Sequence, residues 1–492
     1  MAAKGKTLAN LGLTTARTSH LLVQGLAVDS REVRPGYLFA ALPGARVHGA
    51  EFAEYACRQG ASAILTDPQG ADFIARTLLQ DKAEICVVDD PRQALAGAAA
   101  LFFGAQPKVM VAVTGTNGKT SVSTFCRQIW TQIGLSAVNL GTTGVEGAWS
   151  APLNHTTPEP ITLHRALAQA AEAGVTHAAM EASSHGLDQK RLDGVVLSVA
   201  GFTNFTQDHL DYHATFGAYF AAKAGLFDRV LGPQGIAVIN VDDAKAADLL
   251  KGCAARGQST ITVGRGEADF QILGQKYDAT GQDILFSWQG DNHQVRVPLV
   301  GGFQGENLML AAAMVLAAGG EAEEVFASLK AVRSVRGRME LAATRSNGAS
   351  VYVDYAHTPD AVATALRALR PHVMGRLVVV LGAGGDRDPG KRVLMGQAAA
   401  EFADIVFVTD DNPRGEDPAD IRTMVMAGVA DATDVADRAE AILRAVDCLQ
   451  SGDTLLIAGK GHESGQIIGD DIFPFDDVEQ ASIAVAALEG EY

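Results

Sequence analysis

An α/β chain of three domains is what the sequence predicts, with a central P-loop-type domain on a parallel sheet and a Rossmann-like C-terminal domain. Three observations carry this. The chain has 492 residues, room for about three domains. Apolar β-branched runs alternate with helical stretches along two long segments, the pattern of parallel strands with helices on both faces. Glycines and charged residues gather where those strands end, the edge at which open α/β sheets bind ligands.

Residues 1–105 form the first expected domain. Val23–Val28, Tyr37–Leu42, Ala61–Thr66 and Ile85–Val88 read as strands, and Glu51–Gln59 and Gln93–Phe103 as helices. Asp29-Ser30-Arg31 follows the first strand and Pro43-Gly44 ends the second. Small polar groups there suit a ligand edge, but ordinary turn chemistry is the stronger reading of this stretch on its own.

Gln106-Pro107-Lys108 reads as a linker into the second domain, 106–340. Val109–Val113 is an apolar strand, and Ser121–Ile133 reads as a helix closed by Gly134. Between them lies Gly115-Thr116-Asn117-Gly118-Lys119-Thr120-Ser121, a phosphate cradle in which backbone N–H groups and the helix N-terminus meet an anion. Lys119 can reach the outer phosphates and the Thr120 hydroxyl can hold Mg²⁺. The loop is shorter than the full Walker A pattern, which has glycine where this chain has Val113. His155-Thr156-Thr157-Pro158 reads as a polar loop before a helix. The strand Val175–Met180 ends in Glu181, placed for Mg²⁺ beside the phosphate loop, and Ser183-Ser184-His185-Gly186 follows.

Val195–Phe202 is a further strand, leading to Asp208-His209-Leu210-Asp211-Tyr212-His213. These acids and histidines are either a metal cluster or a solvated loop with capping acids, and the two readings balance. Lys223, taken alone, reads as a surface lysine. Residues 268–300 read as strands and turns, and Phe303–Asn307 opens an alanine-rich helix over Leu308–Ala318. The third domain, 341–492, repeats the alternation. Strands Val351–Val353, Leu377–Leu381, Ile405–Thr409 and Thr454–Ala458 deliver Asp354-Tyr355-Ala356-His357, Gly382–Asp388, Asp410–Arg414 and Gly459–Glu463. Gly382-Ala383-Gly384-Gly385 lacks the third glycine of a dinucleotide turn, which argues against NAD.

A net charge of −17 argues against a nucleic-acid partner. The five scattered cysteines, with no C-x-x-C pair, argue for reduced thiols. No apolar leader or run long enough to span a bilayer is seen, so a cytoplasmic enzyme acting as a monomer on small molecules is expected.

Gly115–Thr120, Glu181-Ala182-Ser183-Ser184-His185-Gly186, Asp208–His213 and Asp354–His357 together resemble the Mur ligases along nearly the whole chain. Asp411-Asn412-Pro413-Arg414 narrows the resemblance to the branch that adds meso-diaminopimelate to UDP-N-acetylmuramoyl-L-alanyl-D-glutamate. The resemblance implies a UDP-substrate domain, an ATPase domain and an amino-acid-binding domain, with ATP and Mg²⁺ as cofactors. It implies that Lys223 is carbamylated to N6-carboxylysine, against the reading of that residue alone. Lys119, Glu181, His209 and Lys223 become the catalytic set, with one Mg²⁺ near Thr120 and Glu181 and a second near His209 and the carbamylated Lys223. Asn307, Arg338 and His357 would complete the nucleotide site. Val28, Ser30, Ala45, Arg46, Val47, His155, Thr156, Thr157, Ser183, Gln189 and Arg191 would hold the UDP-substrate. Arg387, Asp411, Asn412, Pro413, Arg414, Gly459 and Glu463 would hold diaminopimelate, with arginine pairing the carboxylate that lysine lacks.

Two rivals stay open. One is another amide ligase of the superfamily, a folylpolyglutamate synthetase or a lysine-adding Mur ligase, against which Asp411–Arg414 argues. The other is a P-loop ATPase that couples hydrolysis to movement without ligation.

Overall fold

A computed structural model describes residues 5–15, 20–44, 46–77, 82–206 and 212–490. The chain divides into two compact units, residues 1–264 with 310–325, and residues 265–309 with 326–492.

The first unit holds two principal sheets. Four parallel strands lie in the order Gly25–Ala27, Tyr37–Ala40, Ala63–Thr66 and Glu84–Val87. Side chains alternate across this sheet. Leu26, Leu38 and Leu65 pack on Leu95, Ala99 and Phe102 of the helix Pro91–Phe103, while Ala27, Phe39 and Ile64 face Ala53, Ala56 and Ile74. The expected strand Val23–Val28 is two strands. Leu22–Val23 pairs with Lys6–Thr7 and Gly25–Ala27 enters the parallel sheet, and the break falls at Gln24, whose N–H goes to Gly36 O. The expected helix Glu51–Gln59 is a 3₁₀ turn, Gly49–Phe52, running into Ala53–Arg58.

The larger sheet runs Thr260–Gly264, Leu231–Asn240, Leu197–Phe202, Val109–Thr114, His177–Glu181, Ala137–Gly141 and Gly144–Gly147. All neighbours are parallel except the last pair, a hairpin. Val109–Thr114 lies inside the sheet with both faces covered, so it reads as an unbroken apolar run rather than an alternating one. Its two neighbours end beside it, so the loops after Thr114, Glu181 and Phe202 open at one edge. Gln106, in the expected linker, exchanges two hydrogen bonds with the backbone of Val196 and is thereby pinned to this sheet's border.

The second unit contains an antiparallel meander, Phe270–Asp278, Gly281–Trp288 and Asp291–Val297, and a six-stranded sheet. That sheet runs Glu340–Thr344, Ser350–Asp354, Thr454–Ala458, Leu377–Leu381, Ile405–Val408 and Thr433–Asp434, antiparallel only at the first pair. Leu377, Val379 and Leu381 share a core with Val362, Leu366, Met395 and Ala399, while Val378 and Val380 pack with Ile442, Ala445, Ala481 and Ala484. Helices therefore cover both faces, as in a doubly wound fold. The helix expected from Leu308 spans Gly302–Ala317. Polar residues through Asn307 satisfy a helix that the apolar pattern alone starts late. Among the described residues no helix is long and apolar enough to cross a membrane.

Candidate active site

The phosphate loop is shaped by its glycines. Gly115 has φ 150° and Gly118 φ 87°, and a Cβ at Gly115 would stand 1.8 Å from Thr203 Oγ1. Only glycine fits that approach. The loop is held from below, as Asn117 N–H donates to Asn204 Oδ1 at 2.9 Å and Thr203 Oγ1 donates to Asn117 O at 2.6 Å. The helix starts at Lys119, two residues earlier than expected, with Gly118 as its cap and Ser121 buried in its first turn. Lys119 Nζ curls back to donate to Gly115 O (2.9 Å) and Thr116 O (2.8 Å).

Glu181 is 1% exposed. Its Oε2 accepts from Thr120 Oγ1 at 3.0 Å and its Oε1 from Thr142 N–H at 2.9 Å. Thr142 Oγ1 in turn meets Thr156 Oγ1 at 3.0 Å. A Cβ on Gly141 would stand 1.9 Å from Glu181 Oε1, so that glycine makes room for the carboxylate. A buried carboxylate and a hydroxyl at the loop form an oxygen donor set that fits a hard divalent cation such as Mg²⁺. His209, with its neighbours Asp208 and Asp211, lies outside the described residues.

Lys223 departs most from the reading of its own sequence neighbourhood. It is 1% exposed, donates to Gly115 O at 2.6 Å and lies 4.6 Å from the centroid of the Tyr219 ring. Tyr219 is itself joined through its hydroxyl to Thr116 Oγ1 at 3.2 Å. The helix Phe216–Gly225 thus presents a lysine to the phosphate loop, on the same carbonyl that Lys119 caps.

The expected UDP-substrate residues fall in two groups. Thr157 Oγ1 donates to Glu181 O (2.9 Å) and accepts from Ser183 N–H (3.0 Å), and Ser183 Oγ caps Ser184–Asp188. Arg191 donates to Thr157 O (2.6 Å) and to Gln189 Oε1 (2.8 Å), and Gln189 donates to Tyr212 Oη at 3.1 Å. His155 is exposed beside them. In the N-terminal sheet, Val28 follows the strand Gly25–Ala27, Ser30 opens a 3₁₀ turn capped by Asp29, and Arg46 and Val47 follow Pro43-Gly44. Ala45 lies outside the described residues.

In the second unit, Arg338 and His357 converge on Tyr355. The Arg338 guanidinium lies 4.4 Å from that ring's centroid, and the His357 ring 4.5 Å from it. The His462 ring lies tilted to the Tyr355 ring with centroids 5.0 Å apart, and burial pulls its pKa down to about 4, so it is neutral near pH 7. Asn307 is nearly buried on the helix Gly302–Ala317.

The segment Asp411–Arg414 is tied to the chain after Gly459. Asn412 Nδ2 donates to Glu463 Oε2 at 2.9 Å, and a Cβ on Gly459 (φ 123°) would stand 2.4 Å from Asp411 Oδ2. Pro413 O lies 1.9 Å from where a Cβ on Gly385 would be, so the two loops touch only because residue 385 has no side chain. Arg414 is left-handed, with φ 52°. Its N–H donates to Ile467 O (3.1 Å) and its carbonyl accepts from Gly469 N–H (2.8 Å), which clamp it to the hairpin Gly465–Ile468 and Asp471–Pro474. Its guanidinium NH1 donates to Gly385 O (3.0 Å) and Asn412 O (3.3 Å). Arg387 is exposed and donates to Asp386 O. Thr142, Asn204, Tyr219 and Lys460 were not singled out by sequence. The first three carry no local signal, and Lys460 sits in a Gly-Lys-Gly-His-Glu run whose glycines carry the stronger local signal.

Three family profiles match the chain in order, described as Mur ligase family, catalytic domain over residues 22–103, Mur ligase middle domain over 113–315 and Mur ligase, glutamate ligase domain over 337–461. The chain belongs to the Mur ligase family. A Caulobacter vibrioides relative named UDP-N-acetylmuramoyl-L-alanyl-D-glutamate–2,6-diaminopimelate ligase is 45% identical over 95% of this chain and 96% of its own length. A Bradyrhizobium diazoefficiens relative of the same name is 47% identical over 95% and 96%. A solved structure of a protein of that name has a TM-score of 0.74 at 34% identity and covers 99% of both chains. MurF from Acinetobacter baumannii, at 18% identity and a TM-score of 0.63, shares the fold over 93% of this chain and 96% of its own. The expected family resemblance and the three-domain α/β fold of a Mur ligase are thus borne out.

Proposed function

We propose that this Mur ligase joins meso-diaminopimelate to the D-glutamyl γ-carboxylate of UDP-N-acetylmuramoyl-L-alanyl-D-glutamate, driven by ATP, in cytoplasmic peptidoglycan precursor synthesis. The division of labour is 1–105 for the UDP end, 106–340 for ATP and ligation, and 341–492 for the amino acid, in a chain acting as a monomer. The observation that carries the choice of amino acid is the Asp411–Arg414 loop, whose arginine is braced through NH1 while its Nε and NH2 edge carries no hydrogen bond to a described residue. The names of the full-length relatives support the same reading.

A carboxylate is a poor electrophile. Transfer of the γ-phosphoryl group of ATP to the D-glutamyl carboxylate gives an acyl phosphate, which an amine can attack with loss of phosphate. Phosphoryl transfer asks the protein for positioning and charge stabilisation rather than covalent chemistry. The 115–118 backbone cradles the phosphates, and Lys119 leaves its two carbonyl partners to meet them. Thr120 and Glu181 would hold one Mg²⁺, and His209 and the modified Lys223 a second; bound there, the cations would neutralise charge on the phosphoryl oxygens.

Carbamylation of Lys223 fits its surroundings. A carbamate keeps one N–H on Nζ, so the bond to Gly115 O survives, while its two oxygens add ligands of the kind Mg²⁺ prefers. Asn307, Arg338 and His357 complete the nucleotide site, the arginine and histidine flanking Tyr355. Thr156, Thr157, Ser183, Gln189 and Arg191 hold the muramoyl peptide beside Glu181. The amino acid is read by Arg414 and Arg387 at the carboxylate, and by Asp411, Gly459 and Glu463 at the distal ammonium, with Asn412 orienting Glu463 through its amide. The test is mass spectrometry of the product. A UDP-muramoyl tripeptide carrying diaminopimelate is expected, and ADP formed without tripeptide would refute the reading in favour of a simple ATPase.

A further inference from the structure

Lys460 is 0% exposed. Burial is the main influence lowering its pKa, yet acceptors surround it. Its Nζ donates to Asn412 Oδ1 at 2.7 Å and to Gly465 O at 2.9 Å, and Asp411 Oδ1 lies 3.8 Å away. Ile467 N–H donates to the same Asn412 oxygen at 3.0 Å. With two donors on Oδ1, the Asn412 amide has one orientation available, because the reverse would turn an NH2 toward an ammonium and an N–H. That orientation sends Nδ2 to Glu463 Oε2 at 2.9 Å.

We propose that Lys460 is a positioning residue for amino-acid recognition: its ammonium locks the Asn412 amide, and through it the Glu463 carboxylate, in the orientation that receives the substrate's distal ammonium. The inference rests on the amino-acid site proposed above and assigns to it a residue that touches no substrate. The hairpin shares the task. Lys460 holds its first residue, Gly465, and Gln466 Nε2 donates to Asp411 O at 2.7 Å.

Charge separates positioning from simple electrostatics. The groups that face one another here are the cations Lys460 and Arg438 and the anions Asp411, Glu463 and Asp477. Removing the Lys460 cation makes the neighbourhood more negative, which by itself favours an incoming ammonium. A weaker grip on diaminopimelate after that removal therefore reports lost geometry.

The experiment is steady-state phosphate release by the full chain and its Lys460→Met and Lys460→Gln variants, with folding checked by circular dichroism. Lys460→Met is expected to raise KM for diaminopimelate by about tenfold or more while leaving KM for ATP and for the UDP-dipeptide within about twofold. Lys460→Gln, whose amide can still donate to Asn412 Oδ1, is expected to recover part of the loss. An unchanged or lowered KM for diaminopimelate overturns the inference. So does an equal rise in all three constants, or loss of folding in both variants, either of which assigns Lys460 to the fold alone. Wild-type protein that releases no phosphate in response to diaminopimelate refutes the amino-acid site, and the inference with it. Wild-type release with unaltered variant kinetics refutes the inference only.

Discussion

Replacing Arg414 with alanine removes the group proposed to read the distal carboxylate of diaminopimelate. The guanidinium is oriented before substrate arrives, because NH1 is fixed on Gly385 O and Asn412 O and the backbone on both sides is clamped to the hairpin. Little ordering is left for the ligand to impose. A hydrogen bond to a charged group contributes about 1.5–3 kcal/mol, and a bidentate arginine–carboxylate pair makes two that are not fully additive. A loss of about 3 kcal/mol corresponds to about a hundredfold in affinity, since 1.4 kcal/mol is about tenfold. Steady-state phosphate release with diaminopimelate varied should therefore show KM raised about a hundredfold, with KM for ATP unchanged. Arg414→Lys should lie between, because an ammonium offers a point charge and not a planar fork. Alanine keeps the left-handed backbone at φ 52°, so the fold is not relieved of strain and circular dichroism should match wild type. A KM for diaminopimelate within about threefold of wild type, or an equal rise for ATP, would refute the assignment.

Four further outcomes are expected. Glu181→Gln replaces a carboxylate held by Thr120 and Thr142 with an amide, and titration of activity with Mg²⁺ should show the half-saturating concentration raised about tenfold or more; an unshifted titration would remove Glu181 from the metal site. Depleting bicarbonate and CO₂ should lower wild-type activity reversibly, and restoring bicarbonate should leave Lys223→Ala inactive; activity independent of bicarbonate would argue against the carbamate. Asp477→Ala leaves Arg438 without its two carboxylate bonds of 2.8 and 2.7 Å in a fully buried site, and breaking such a pair costs about 3–5 kcal/mol, to be read as a lower urea midpoint with unchanged slope. His164 is 2% exposed and burial lowers its pKa to about 4 from 6.5. The unfolded chain binds its proton first as pH falls, so its contribution of about 3 kcal/mol is complete above pH 6.5 and lost progressively toward pH 4. The difference in Tm between pH 7.5 and 5 should shrink in His164→Leu, and an unchanged difference would contradict the attribution.

What could be read from sequence was what a short stretch decides. The phosphate loop was legible because glycines, Lys119, Thr120, a preceding strand and a following helix lie within one segment. Glu181 was legible because an acid ends an apolar run. Lys223 was not, since its burial is decided by Gly115 O, 108 residues away, and by Tyr219. Taken alone its alanine-rich surroundings resemble a helix surface, and the family resemblance supplied what the local pattern lacked. Arg414 was legible as a charge but not in its left-handed backbone, which the hairpin imposes from more than fifty residues later. The helix Gly302–Ala317 takes in the opening segment Phe303–Asn307 and begins six residues before Leu308, because Gln304, Glu306 and Asn307 hide the apolar period. The run at Val23–Val28 reads as one strand because nothing in its composition marks Gln24 as the point where the chain changes sheets.

Selection of meso-diaminopimelate over other amino acids is what sets this Mur ligase's place in the family. The most direct measurement is phosphate release from ATP in the presence of UDP-N-acetylmuramoyl-L-alanyl-D-glutamate, Mg²⁺ and bicarbonate, comparing meso-diaminopimelate with L-lysine. Strong stimulation by diaminopimelate and none by lysine is expected. Stimulation by lysine in place of diaminopimelate would contradict it.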